Sequence, residues 1–145
     1  MTRIRQKEIS IELPDDWEPW NQNRWANSDT MLAAKYWKKK WPNMEVTNIG
    51  STSRTNVDQT QRFAQQWARQ QGVEFLKDRV IKVDEMEAYE FCYKRRSFFR
   101  TFFFCKISVI VDGHEYLIQL ASRNFETDKG VFDQIVQSMQ FEFAH

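Results

Sequence analysis

Only four glycines and three prolines punctuate the 145 residues, and the glycines are too scattered to build a loop that cradles phosphate. The same scarcity leaves little room for long flexible linkers. Histidine is nearly missing as well: there are two, and His145 is the last residue. The two cysteines, Cys92 and Cys105, do not fall in a C-x-x-C or other metal-ligand spacing. The chain thus presents no convergent metal-ligand set and no nucleophile, histidine and acid in one constellation. It carries no excess of either charge, with Lys+Arg 21 against Asp+Glu 20 and a net charge of +1. That balance gives no global reason to bind nucleic acid or an anionic membrane. No apolar run reaches membrane-spanning length, and none follows the positive residues 1–7 as it would in a signal peptide. The location expected from this is cytoplasmic, or the envelope if a leader has been removed and Met1 is not the native start.

What the chain does have is aromatic surface: twelve Phe, six Trp and four Tyr. With 41% apolar and 28% charged residues it reads as one globular domain over 1–145 that can bury its own core.

Residues 8–13 alternate apolar and polar, predicting a half-buried strand that Pro14 ends. Asp15 and Asp16 follow as a polar turn, and Trp17, Trp20 and Trp25 as aromatic anchors in a loop. Ser28 or Asp29 can cap a short helix with Leu32 and Tyr36, or Ala33, Trp37 and Trp41, at i, i+4 spacing; Pro42 would stop it. Residues 44–49 alternate again. Thr55-Asn-Val-Asp58 has the capping-box pattern and predicts a helix to Gln70 with Gly72 as its C-terminal residue. Strands are expected over 79–83 and 87–94, separated by Asp84-Glu85.

The last third is the most specified. Strands over 89–93, 102–111 and 116–121, a helix over 128–139 and a closing strand over 140–143 predict an antiparallel sheet backed by a helix. Asp112-Gly113, set between β-branched and aromatic runs, predicts a two-residue hairpin turn. Val109 then faces Tyr116, Ile107 faces Ile118 and Cys105 faces Leu120. One face of this hairpin is uncharged: Phe103, Cys105, Ile107, Val109, Val111, Tyr116, Ile118 and Leu120. The other carries Phe102, Phe104, Lys106, Ser108, Ile110, Leu117, Gln119 and Ala121, more than half apolar, so something must cover part of it. The stripe Val131, Phe132, Ile135, Val136 and Met139 lets one helix pack on the first face and the 56–70 helix on the second. Cys92 and Cys105 lie on neighbouring predicted strands around a turn near residues 96–99. Spacing admits a disulfide, but in a cytosolic chain two reduced, buried thiols are the favoured reading.

Two ends of the chain carry a family resemblance. The tail V-D-G-H-E-Y-L-I-Q-L-A-S from Val111, then V-F-D-Q-I-V-Q-S-M-Q-F, resembles the PsbP-like superfamily, which includes DcrB-type bacterial proteins. Its members close on a pattern matched by Val131, Phe132, Ile135, Ser138 and Phe141, and I-S-I-E-L-P-D-D-W from Ile9 is similar to their opening strand and turn. The resemblance implies an α+β fold, an α/β/α sandwich in which helices cover both faces of an antiparallel sheet. It also implies a non-enzymatic role, since members are mostly extrinsic photosystem subunits, a nuclear-transport factor, envelope lipoproteins and chaperones of type VI secretion effectors. No family catalytic residues exist to carry over. The lipid-anchor cysteine of exported members is absent, the chaperones' polar motif after the first strand is missing, and the stretch 17–41 has no counterpart.

Weighed singly, most candidate sites fall to plainer readings. His114 near Asp112 and Glu115 reads as an exposed strand end, not a metal ligand. The acidic pairs at 15–16 and 84–85 read as solvated turns, since paired-carboxylate catalysis needs carboxyls facing across a cleft. Lys35-Tyr-Trp-Lys-Lys-Lys-Trp41 could stack on single-stranded nucleic acid, but on a helix its aromatics face the core. That cluster survives as an interaction candidate beside a second, Lys94-Arg-Arg-Ser-Phe-Phe-Arg100, a basic hairpin tip. There the plainer reading has both Phe folded back on the sheet. The expectation is an adaptor or accessory protein with no catalytic residue, cofactor or metal, binding a protein partner through Arg95, Arg96, Phe98, Phe99, Arg100, Phe102 and Phe104. Nucleic acid and a membrane span are not expected; a second copy of the chain is an admissible partner. Two alternatives stand beside it: a chaperone for a secreted effector with apolar helices, and a binder of small amphipathic ligands with the 17–41 segment folded over a pocket.

Overall fold

The structure is a computed structural model that describes residues 1–20 and 29–144. Its strands are β1 (Thr2–Gln6), β2 (Ile9–Leu13), β3 (Trp17–Pro19), β4 (Thr30–Tyr36), β5 (Asn43–Ser51), β6 (Glu74–Val83), β7 (Met86–Ser97), β8 (Arg100–Val111), β9 (His114–Ser122) and β10 (Gln140–Phe141). Two helices interrupt them, α1 (Val57–Gln71) and α2 (Phe125–Gln137), and a short 3₁₀ turn closes the chain at Glu142–Ala144. Seven strands form an antiparallel sheet in the order β3-β4-β5-β9-β8-β7-β6, and β1-β2-β10 form a second, smaller one.

The Asp112-Gly113 turn forms as its sequence requires, with φ of 52° and 77° at its two residues. The register follows: Val109 pairs with Tyr116, Ile107 with Ile118 and Cys105 with Leu120. The uncharged face thus lies on the main core, where α2 places Phe132, Ile135 and Val136 beside Ile9, Ile11 and Leu13 of β2. Each of those buried α2 side chains contributes about 2 kcal/mol of burial. The opposite face receives α1, whose Ala64 and Trp67 pack on Tyr89, Phe91, Tyr93 and Phe104. Helices therefore cover both faces of the sheet.

α1 begins one residue later than its capping pattern suggests. Asn56 is the cap, its Oδ1 accepting from the Gln59 backbone N–H at 2.9 Å, while Gln59 Oε1 accepts from the Thr55 N–H at 2.7 Å. Gly72, at φ 66°, ends it. α2, by contrast, starts earlier than residue 128, capped by Asn124. The closing strand is only two residues long and pairs with β2, not with the main sheet.

Two expectations are overturned. The segment from Asp29 to Trp41 is not a helix: residues 30–36 are β4, paired with β3 and β5. Met31 to Ala34 are buried in succession because both faces of this strand are covered. Such a strand shows a continuous apolar run, which periodicity cannot tell from a buried helix. Pro42 follows a cis Trp41–Pro42 bond in the β4–β5 connection. The second correction concerns Cys92 and Cys105, which are disulfide-bonded, not free thiols. They sit directly opposite each other in the β7–β8 ladder, with Cα atoms 4.1 Å apart. Trp25 and Ser28 lie outside the described residues, as do residues 21–28 of the segment proposed to cover a pocket.

Candidate functional site

The β7–β8 hairpin outruns its neighbours. β6 ends opposite Lys94, and β9 ends opposite Phe103. Beyond those rungs, Arg95 pairs with Phe102, Arg96 with Thr101 and Ser97 with Arg100 in a two-stranded ribbon that no other strand flanks. Phe98 and Phe99 form its turn, and both are fully exposed. The plainer reading, with both rings folded back on the sheet, is thus overturned: the ribbon carries them past any surface they could cover. Phe98 takes φ 56°, the left-handed region that a bulky side chain rarely occupies. Arg95, Arg96 and Arg100 are also exposed, and none of the three pairs with a carboxylate among the described residues.

Phe102 and Phe104 are half-buried at the base of this ribbon. Phe102 lies 5.3 Å from the Trp41 ring, with the Arg123 guanidinium 5.8 Å from its centroid. Phe104 stacks on Tyr93 at 5.2 Å, and Tyr93 meets Phe91 at 5.8 Å and Trp67 at 5.2 Å. An aromatic strip therefore runs from the core under α1 to the foot of the tip. The structure brings all seven predicted residues into one region, in two layers: a bare end (Arg95, Arg96, Phe98, Phe99, Arg100) and a packed base (Phe102, Phe104). Sequence reasoning missed Trp41 and Arg123 at that base. The i, i+4 spacing puts Trp41 on a helix, and nothing local ties either residue to a hairpin far from it in the chain.

The discounted candidates land elsewhere. His114 is half-buried, not exposed; its ring meets Asn48 Oδ1 and lies 4.9 Å from Tyr116. Asp84 does more than turn the chain, since its Oδ2 accepts from the Phe141 N–H at 2.9 Å and so fixes β10. In the stretch from Lys35 to Trp41, Trp37 is half-exposed under the Lys38 ammonium at 4.6 Å. His145 lies outside the described residues.

No protein-family model matches the chain, and no curated protein matches it. Solved structures do match its fold. The solution structure of the cyanobacterial PsbP protein CyanoP from Synechocystis is similar at TM-score 0.63 and 14% identity, covering 97% of this chain and 91% of that one. LpqN of Mycobacterium tuberculosis, described as involved in cell envelope biogenesis, is similar at TM-score 0.63 and 13% identity, over 91% of this chain and 82% of that one. PA94 of Pseudomonas aeruginosa, a protein of unknown function, matches at TM-score 0.59 and 14% identity, over 95% of this chain and 94% of that one. With its two helices on opposite faces of a mostly antiparallel sheet, the chain has a PsbP-like fold.

Proposed function

We propose that this chain is a non-enzymatic adaptor or accessory protein that binds a protein partner through the β7–β8 tip and the sheet face at its base. The observation that carries the reading is the pair of fully exposed phenylalanines, Phe98 and Phe99, at the end of a ribbon whose three arginines meet no carboxylate among the described residues. Exposed aromatics flanked by arginine are the side chains that anchor interfaces, because each buries a large area at small entropic cost. The partner surface this fits is an apolar pocket with an acidic rim.

The effector-chaperone version needs a broad apolar surface to shield a client helix. The exposed aromatics of the tip are two residues wide, which suits a pocket better than a helix. For location, the cytoplasm expected from composition competes with the Cys92–Cys105 disulfide, which favours an oxidising compartment and so the envelope. No helix among the described residues is long and apolar enough to cross a membrane.

The test combines charge reversal at Arg95, Arg96 and Arg100 with Phe98→Ala and Phe99→Ala. The wild-type chain should capture one stoichiometric partner from host extract, and the variant should lose it while its circular dichroism and unfolding midpoint stay unchanged. Capture that survives in the folded variant would sink the assignment of the tip.

A further inference from the structure

Between α1 and the β8–β9 part of the sheet lies a cavity of about 320 Å³, remote from the 98–99 turn. Its volume falls within the range of small-molecule sites, roughly 300–1,000 Å³, toward the small end. One end is polar and internally satisfied. Glu115, almost fully buried, receives the Arg54 guanidinium on one oxygen and the Ser108 hydroxyl on the other. The charges at that end cancel. Lys106, on the same wall, is not neutralised. Its ammonium lies 3.9 Å from the Trp67 ring centroid and 5.5 Å from that of Tyr93, and it meets no carboxylate among the described residues. The mouth is apolar: Phe63 and Ile49 line it while about half exposed, at 53% and 49%.

We infer that this cavity is a binding site for a small amphipathic monocarboxylate, with Lys106 taking the carboxylate and the Phe63–Trp67 side of α1 covering the apolar body. The charge count selects a monoanion. Arg54 is already paired with Glu115, so one uncompensated cation remains in the cavity, where a phosphate monoester would bring nearly twice the charge. A half-buried ammonium held only against ring faces is missing an ionic partner that would form charge-assisted hydrogen bonds with it. Burial, with the Arg95 charge nearby, lowers the Lys106 pKa to about 8, as expected of a cation lacking its counter-ion. The exposed Phe63 and Ile49 gain cover when an apolar chain fills the mouth. This site is separate from the tip and does not depend on the partner-binding reading.

Octanoate is the probe, measured by titration calorimetry and by amide chemical-shift mapping on the full chain. Saturable binding is expected, with shifts confined to α1, β8 and β9. Octanol, which keeps the chain and loses the charge, should bind at least about tenfold more weakly, the cost of losing one ionic contact. That comparison needs no variant, so it holds even if substitutions unfold the protein. Lys106→Met should lower octanoate affinity by a similar factor and leave octanol unchanged. No saturable binding, equal affinities for octanoate and octanol, or shifts mapped to the tip would each overturn the inference. Loss of octanoate binding in the Phe98→Ala, Phe99→Ala variant would overturn the separation of the two sites.

Discussion

Two single residues, Phe98 and Lys106, are each worse for stability than an obvious replacement, and both sit where a function is proposed. Phe98 holds a left-handed backbone at φ 56° with no contact surface to offset it. That conformation costs a side chain bearing Cβ about 1–2 kcal/mol, and glycine nothing steric. Phe98→Gly should therefore hold or raise stability by about 1 kcal/mol in urea unfolding while weakening partner capture; a clear destabilisation would mean the ring packs on the protein after all. Lys106 makes the complementary case through pH. Its folded pKa, about 8, lies below the ordinary 10.5, so the folded chain binds fewer protons than the unfolded one between those values. Stability from this group accordingly rises as pH climbs from 8 toward 10.5. Tyr93 acts in the opposite sense, since burial raises it from 10.0 to about 12, and its contribution is lost as pH rises from 10 to 12. Tyr89, raised by burial and by its bond to Asp78, adds to that loss. Unfolding midpoints should thus rise from pH 8 to about 10 and fall above it. Lys106→Met should remove the rise and, after allowance for solvent screening, stabilise the chain at pH 7 by on the order of 1 kcal/mol. A flat profile in the wild type would show that the ammonium is better solvated than its surroundings suggest.

Among the elements, legibility followed locality. The Asp112-Gly113 hairpin was readable down to its cross-strand pairs because turn chemistry and alternation both lie within a short window. α1 was readable from its cap to Gly72 for the same reason. β4 was not, because burial on both faces leaves it a continuous apolar run, and helix-favouring Met, Leu, Ala and Lys fill it. The candidate site was half legible. Composition marked the basic aromatic tip, but whether its rings fold back depends on where β6 and β9 stop, which is a matter of tertiary register. The ion cluster that docks α2 is invisible in the sequence for similar reasons. Glu90 of β7 is buried and accepts from Arg79 Nε at 2.7 Å and from Lys129 Nζ at 3.2 Å, with Asp133 of α2 completing the group. Glu90 Oε2 has no hydrogen-bond partner among the described residues. Lys129→Met should cost about 3 kcal/mol, the lower end of the usual range because Arg79 remains. Glu90→Met with Lys129→Met should recover most of it. If the double variant is as unstable as the single one, the cost lies in packing and not in a stranded carboxylate.

For the whole molecule, the β7–β8 ribbon joins three features: it contributes both faces of the core, walls the α1 cavity through β8, and projects the tip. The edges of the seven-stranded sheet offer no simpler route to a partner. β6, at one edge, bears Lys77, Asp78, Arg79 and Lys82, and β3 at the other is three residues long with Pro19 at its end, both arrangements that discourage strand addition. Binding through the tip then places a mechanical demand on the ribbon, since its end has no flanking strands to hold it. The Cys92–Cys105 bond meets that demand from within the sheet, below the last flanked rung. Its two residues are 13 apart in sequence, and closing a loop of that size in the unfolded chain accounts for about 3 kcal/mol. Replacing both cysteines with alanine should lower unfolding stability by about that amount in oxidising buffer. Wild type unfolded under strong reductant should approach the variant, whereas reductant should leave the variant itself unmoved. Capture of the partner should weaken in the variant even at temperatures where the core stays folded, because the ribbon loses its covalent clamp before the sheet loses its strands. Identical midpoints for wild type with and without reductant, matching those of the variant, would mean that the bond does not form in the folded protein, and would remove the argument for an oxidising compartment.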